Sequence, residues 1–398
     1  MKILIADKFS DEHLLKMQNM GHEVTLQPGL GADDLPGAIP GYEVLVVRST
    51  RVTAATIDAA DRLNLIVRAG AGVNTIDVDK AAERAVFVCN TPGKNAVAVA
   101  ELVMGLMLSI DRNVPDQVAE LRAGVWNKKK YSQAEGIAGR SLGIVGFGSI
   151  GMEVAKRAQA FGMKVSATDA DPGREAFAEE VGVAWVPDLT KLAANNDFLT
   201  FHVPAIPQTA NLISRELLDS MQPGTVIINS SRGTIVDEEA LMEAMDEKGI
   251  RAGVDVYKGE PGAGDKAFES RFAQHPGVYG THHIGASTEQ AQTEIANAVI
   301  TTIGAFEDGR LMNCVNLGEV LGTELTVTVR HLNQVGVLAG VLATLRGAGL
   351  NVEHMENLVL KGRKASSALI HVIGDVDAAT LSQLEKLDGV IGVSLSAR

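Results

Sequence analysis

Cysteine is nearly missing from this chain: of 398 residues only Cys89 and Cys314 carry a thiol. Two cysteines exclude a disulfide framework and a zinc site built on thiolates. Long apolar runs are missing too. The longest, AVAVAELVMGLMLSI at 96–110, is interrupted by Glu101 and falls short of the ~20 residues that span a bilayer. At the amino terminus, MKILIADKFSDEH loses its apolar character at Asp7, unlike a secretion signal. Positive charge is in short supply: 36 basic against 49 acidic side chains leave a formal net charge of −13. Such a balance argues against general affinity for nucleic acid or an anionic membrane. It leaves room for an anionic small molecule held by a few focused arginines. No repeat and no low-complexity tract is present, and the expected setting is cytoplasmic.

What is there is an α/β pattern. Hydrophobic residues make up 46% and charged residues 21%, and the length predicts two or three domains. KILIAD (2–7), HEVTL (22–26), EVLVVRS (43–49), NLIVRAG (64–70) and VFVCN (86–90) read as strands separated by helical spacing. A long helix is expected over 96–123. RSLGIVGFGSIG then opens a second series, with strands in SLGIVG, MKVSATD, DFLTFHV, GTVIINSS, RAGVDVY and GVYGTHH. Asp237 is placed to cap a helix over 238–249, and a further helix is expected over 289–309. Alternation of this kind implies parallel sheets covered on both faces. After a linker at 310–322 the rhythm changes to β-α-β-β-α-β, a small ferredoxin-like module.

GIVGFGSIGMEVAKRAQAFGMKVSATDAD places Gly146, Gly148 and Gly151 as G-x-G-x-x-G between a strand and a helix. The first glycine permits a tight turn, the second lets backbone approach a pyrophosphate, and the third lets helix and strand pack closely. Phosphates would then lie at the helix amino terminus near Ser149 and Ile150. The next strand ends at Asp169, placed to accept from a ribose 2′-hydroxyl, and no arginine follows it, which favours NAD over NADP.

A nicotinamide enzyme acting on an alcohol beside a carboxylate needs a base for the hydroxyl proton and a cation for the acid. Three later strand ends supply candidates: Arg232 in INSSRGTIVD, Glu260 in GVDVYKGEP, and the pair His282 and His283 in GTHHIGAST. In an open parallel sheet the crevice lies at the carboxyl ends of the strands, so these loops can converge. An imidazole would exchange the proton, a carboxylate would fix its tautomer, and a guanidinium would hold the substrate acid. This chemistry calls for no metal. Arg48 and Arg51 in VVRSTRVT, and Arg68 with the glycine loop from Gly70 to Asn74, offer further cationic contacts at the edge of the first sheet. Lys128, Lys129 and Lys130 form a charge run that is either solvated or within reach of a phosphate.

With GFGSIG, HVPAIPQT, NSSRGTIVDEEAL, GVDVYKGEP and HHIGAST in this order, the chain resembles the D-isomer-specific 2-hydroxyacid dehydrogenase family. Within it, the likeness is to the branch that oxidises 3-phospho-D-glycerate to 3-phosphohydroxypyruvate, the first step of L-serine biosynthesis. The resemblance puts the catalytic residues at Arg232, Glu260 and His283, with His282 where relatives usually have proline. It puts His202, Pro204, Thr209, Ser231, Asp255 and Gly285 along the NAD cofactor. By the same resemblance Arg48, Arg51, Arg68, Gly70 and Asn74 would bind the phosphate and carboxylate of the substrate. The implied fold is a Rossmann NAD-binding domain (96–286) inserted in a flavodoxin-like substrate-binding domain (1–95 with 287–316), plus a ferredoxin-like ACT domain (323–398). Such tails pair between subunits. His331, Asn333 and Asn351 fall where feedback-inhibited relatives bind serine, with Val335 in place of a proline. A homo-oligomer, a dimer or a tetramer, is therefore expected, and the tail is either a site for L-serine as an effector or a dimerisation module with no ligand. Two other readings stay open: a glyoxylate, hydroxypyruvate or other 2-hydroxyacid reductase, and a non-enzymatic NAD-sensing regulator.

Overall fold

A computed structural model of the chain describes residues 1–261, 267–318 and 325–397. The expected bounds of the tail domain, 323 and 398, and the end of the 310–322 linker lie outside the described residues. The chain divides into two compact units, Met1–Asn316 and Leu317–Arg398.

The first unit holds two parallel sheets. In the first, β1 (Lys2–Ile5), β2 (Glu23–Leu26), β3 (Val44–Val47), β4 (Leu65–Arg68) and β5 (Phe87–Asn90) lie in the order β2-β1-β3-β4-β5. This is the flavodoxin-like order. Its central strands are apolar without alternation because both faces are covered. Leu4, Leu45, Val47, Ile66 and Val88 enter one core, while Ile3, Ile5, Val44, Val46, Leu65 and Val67 enter the other. The second core is completed by Ile295, Val299 and Ile303, spaced along one face of the helix Glu289–Glu307, so the chain returns to this sheet after building the other.

The second sheet comprises β6 (Ser141–Val145), β7 (Lys164–Thr168), β8 (Ala184–Trp185), β9 (Phe198–Phe201), β10 (Val226–Asn229), β11 (Arg251–Val254) and β12 (Val278–Gly280). Its order, β12-β11-β10-β9-β6-β7-β8, reverses between β6 and β9, the Rossmann arrangement with a crevice at the carboxyl ends. β8 escapes the sequence pattern because two partly exposed residues at a sheet edge show no periodicity. The helix expected over 96–123 is two helices, Ala96–Arg112 and Val114–Arg122. Asn113, at φ +49°, turns the chain out of the first, and Pro115 starts the second. Asp237 accepts from the Ala240 amide at 3.2 Å and caps the helix Glu238–Lys248 as expected. No helix among the described residues is long and apolar enough to cross a membrane.

The second unit is a four-stranded antiparallel sheet of β13 (Leu325–Leu332), β14 (Asn351–Val359), β15 (Ala365–Ile373) and β16 (Val390–Ala397) in the order β14-β15-β13-β16. Helices Val337–Gly347 and Ala378–Glu385 complete the β-α-β-β-α-β sequence. Val327, Val329, Ala368, Ile370 and Val372 pack against Val341, Leu345 and Leu384.

Candidate active site

The loops after β10, β11 and β12 bring Arg232, Glu260 and His283 together. Glu260 Oε2 lies 2.7 Å from His283 Nδ1, and Glu260 Oε1 accepts from the Tyr257 amide at 2.9 Å. Burial pushes the Glu260 carboxyl up, but the His283 hydrogen bond, the Tyr257 amide and the nearby Arg232 charge outweigh it and hold the group below its usual range. An ionised carboxylate can only accept, so Nδ1 carries the hydrogen and Nε2 is the free proton acceptor.

His283 sits at φ +52°, left-handed backbone that costs energy unless the surroundings impose it. Asp255 imposes it. This residue is 1% exposed, and its Oδ1 accepts from Thr281 Oγ1 at 2.5 Å and the Ile284 amide at 2.8 Å. Its Oδ2 accepts from the Gly285 amide at 2.8 Å, so the loop is pinned on both sides of the histidine. Asp255, expected along the cofactor, thus has both oxygens engaged by the histidine loop. His282 is exposed and makes no side-chain hydrogen bond or ion pair among the described residues.

Arg232 is positioned by a residue that sequence reasoning missed. Asn229, fully buried at the end of β10, donates to the Arg232 carbonyl at 3.0 Å and accepts from Ser231 at its amide (3.0 Å) and its hydroxyl (2.8 Å). A Cβ on Gly233 would collide with the Tyr257 carbonyl, so the arginine and glutamate loops meet backbone to backbone. Burial lowers the Arg232 guanidinium pKa, with Glu260 partly opposing it.

Two arginines of the first sheet join this group. A Cβ on Gly72 would clash with Arg232 Nη2 and approach Asn74 Oδ1 at 3.2 Å. A Cβ on Gly70, which sits at φ +144°, would overlap Arg68 Nη1. The glycine loop is therefore bare where two guanidinium groups lie. Arg68 is driven down to about 10 by burial, then by the charges of Arg232 and Arg48, with Asp7 opposing. Its Nε is buried without a partner. Asp7, also missed, accepts from the amides of Arg48 (2.6 Å), Ser49 (3.1 Å) and Thr50 (3.1 Å) and so fixes the Arg48 turn. Its signal was an acid directly after an apolar strand at the same sheet edge. Arg51 is exposed and is not drawn into this cluster by any hydrogen bond or ion pair among the described residues. Lys130 pairs with Glu120 at 2.7 Å, while Lys128 and Lys129 are exposed.

The nucleotide loop lies at the switch point. Gly146, at φ +94°, packs against the His202 carbonyl, which a Cβ would meet at 2.7 Å. A Cβ on Gly151 would strike the Gly146 carbonyl and approach Ile144 Cγ2 at 3.2 Å, so helix and strand touch there. A Cβ on Gly148 would meet nothing within 4 Å, and the helix Ser149–Ala160 behind it, with Ile150 in its first turn, has no side-chain cap. Open space before free amides fits a pyrophosphate. Asp169 accepts from the Phe147 amide at 2.7 Å and the Asp171 amide at 3.0 Å, which ties it to this loop. His202 bonds Thr200 Oγ1 at 2.9 Å, and burial pushes it down to about 3, so the ring is neutral. His202 Nδ1 and Ser230 Oγ are buried without partners. Thr209 Oγ1 donates to the Pro204 carbonyl at 2.5 Å and closes the loop after β9.

In the second unit, His331 is buried, with Nε2 3.0 Å from Asn357 Oδ1 and Nδ1 2.7 Å from the Leu332 carbonyl. Asn333 donates to the Arg363 carbonyl at 3.0 Å, and Asn351 donates to Glu353. Val335 is fully exposed. Within one chain these residues do not meet. His331 pairs with Ser366 and Asn351 with Ile373, seven residues along β15, or roughly 23 Å.

Residues 104–285 match the D-isomer specific 2-hydroxyacid dehydrogenase NAD binding domain. The chain is 39% identical to a D-3-phosphoglycerate dehydrogenase of Methanocaldococcus jannaschii over 80% of its own length and 60% of that protein's. It is 41% identical to a hydroxypyruvate reductase of Thermotoga maritima, over 75% of this chain and 94% of the relative. The TT0316 protein of Thermus thermophilus superposes with a TM-score of 0.71 at 30% identity, covering 79% of this chain and all of that one. The chain spans about 60% of the length of the first phosphoglycerate dehydrogenases it matches. On these likenesses and this nucleotide loop, the chain belongs to the D-isomer specific 2-hydroxyacid dehydrogenase family.

Proposed function

We propose that the protein oxidises 3-phospho-D-glycerate to 3-phosphohydroxypyruvate with NAD, the step that opens L-serine biosynthesis. The observation that carries this reading is a run of arginines beside the Glu260–His283 pair: Arg232 next to Glu260, Arg68 next to Arg232, and Arg48 next to Arg68. Two anionic groups on one small substrate need more than one guanidinium, and opposite charges at about 4 Å are worth about 4 kcal/mol at the effective dielectric of a cleft. His283 Nε2 takes the hydroxyl proton, and Glu260 stabilises the resulting imidazolium. Arg232 holds the carboxylate beside the reacting carbon, while Arg68, with Arg48, the Gly70 loop and Asn74, takes the phosphate. When bound, NAD supplies the acceptor for the hydride that leaves the alcohol carbon. Gly146, Gly148, Ser149, Ile150 and Gly151 would hold its pyrophosphate and Asp169 its ribose. His202, Pro204, Thr209, Ser231, Asp255 and Gly285 would line its path.

The Thermotoga relative favours a second reading, reduction of hydroxypyruvate. A panel of 3-phosphoglycerate, D-glycerate, D-lactate and 2-hydroxyglutarate with NAD, followed by nicotinamide absorbance, separates the two. The proposal requires 3-phosphoglycerate to give the highest kcat/KM, and a higher value for D-glycerate overturns it. Turnover of any of them removes the regulator reading.

A homo-oligomer is part of this proposal. The helix Val114–Arg122 buries none of its residues, and Val114, Val118, Leu121, Val125 and the 80% exposed Trp126 form an apolar stripe suited to a second copy. The second unit reads as an ACT domain. Because His331 and Asn333 lie far from Asn351 on one sheet, a serine site using all three would need two copies. Serine added to the panel, with the Asn351→Ala variant beside it, tests that arrangement.

A further inference from the structure

We propose that Cys89 and Cys314 are a redox pair, a dithiol that thiol–disulfide exchange converts into one intrachain bond between β5 and the end of the first unit. Distant in sequence, the two cysteines face each other across an isolated antiparallel bridge. The flanking bonds run from the Asn90 amide to the Asn313 carbonyl at 3.2 Å and from the Val315 amide to the Val88 carbonyl at 2.8 Å. That pattern makes Cys89 and Cys314 a non-hydrogen-bonded cross-strand pair, with Cα atoms about 4.5 Å apart, inside the roughly 4.4–6.8 Å that a disulfide bridges. Both are free thiols. This is a single reversible bond, not a framework that the fold depends on.

Access sets the order of events. Cys89 is 1% exposed, whereas Cys314 is half-buried between the exposed Asn313 and Val315. With glutathione disulfide as oxidant, the Cys314 thiolate attacks one sulfur, forms a mixed disulfide and releases one glutathione. Cys89 then attacks the Cys314 sulfur, forms the intrachain bond and releases the second glutathione. The oxidant is reduced, and the two cysteine protons end on the two glutathione thiols. Burial, then the neighbouring Cys314, raises the Cys89 thiol, which makes the second step the slow one. The bond would fix a segment now held on β5 by backbone pairing and by Asn316, which accepts from the Val88 amide at 2.9 Å and donates to the Val86 carbonyl at 2.8 Å. Next along β5, Asn90 donates to the Ala71 carbonyl in the glycine loop at 2.6 Å, so the pair sits beside the support of the arginine cluster.

The test incubates the full chain with glutathione disulfide, blocks remaining thiols and measures intact mass and cross-linked peptides. The expected result is loss of two hydrogens, one peptide pair joining 89 to 314, a higher Tm, and full reversal by dithiothreitol. Cys89→Ser should stop at a glutathione adduct on Cys314. A lasting adduct on the unsubstituted protein, disulfide-linked dimers, or two thiols that remain alkylatable would each overturn the pairing.

Discussion

Replacing Arg68 by methionine should make the ligand-free protein more stable and a much poorer enzyme. The Arg68 guanidinium stands at about 10 instead of 12.5, chiefly through burial and then through Arg232 and Arg48. That gap corresponds to roughly 3 kcal/mol by which folding disfavours the charged form. Because the folded value lies below the unfolded one, the cost is present in full below about pH 10. It fades as pH rises from there toward the unfolded value. Methionine keeps most of the aliphatic stem and discards the charge. With part of the gain lost to repacking, a net stabilisation of about 1–2 kcal/mol would raise Tm by about 1.5–3 °C in a unit of this size. Substrate binding should suffer in the opposite sense, since truncating one partner of a charged hydrogen-bonded pair costs about 2–5 kcal/mol. Scanning calorimetry at pH 7, with and without 3-phosphoglycerate, reads both effects. The original protein should gain Tm from the ligand, and the variant should start higher and gain nothing. A variant that melts lower, or that is still stabilised by the ligand, would refute the claim that Arg68 is an incompletely compensated cation kept for an anion.

The other predictions address the base and the nucleotide loop. His283→Ala should lower kcat by about 10²–10⁴ while NADH binding, followed by fluorescence, is unchanged; near-normal turnover would remove the histidine from its role. Gly148→Val would fill the open space before the helix Ser149–Ala160, so NADH titration should show no saturation although Tm is retained. Tight NADH binding by that variant would mean that the cofactor lies elsewhere. Asp169→Ala should raise the KM for NAD and narrow its advantage over NADP, and an unchanged ratio would take Asp169 off the ribose.

The strands and their order of appearance were legible because buried parallel strands are short apolar runs bounded by turn residues. β8 was not, being two residues at an edge, and the break at Asn113 was hidden inside an apolar pattern that continued across it. In the site, residue types at strand ends brought forward Arg232, Glu260 and the pair His282 and His283, and it took the family resemblance to choose His283. The residues that hold them, Asp7, Asn229 and the loop-pinning part of Asp255, carry no periodic signal, because their bonds run to backbone amides and carbonyls. Arg51 illustrates the converse: its type and place suit an anion site, yet it is exposed and makes no hydrogen bond or ion pair among the described residues. Spacing likewise could not show that His331 and Asn351 lie at opposite ends of one sheet. Nor could it show that Cys89 and Cys314, distant in sequence, are cross-strand neighbours.

On this reading the arginine cluster reads a phosphate while Glu260 and His283 do the proton chemistry. Its most direct test is the ratio of kcat/KM for 3-phosphoglycerate to that for D-glycerate, measured in the original protein and in Arg68→Met. The expected preference is about 10²-fold or more, equivalent to about 3 kcal/mol, and it falls toward unity in the variant. A ratio near one in the original protein, or one that Arg68→Met leaves unchanged, would contradict it.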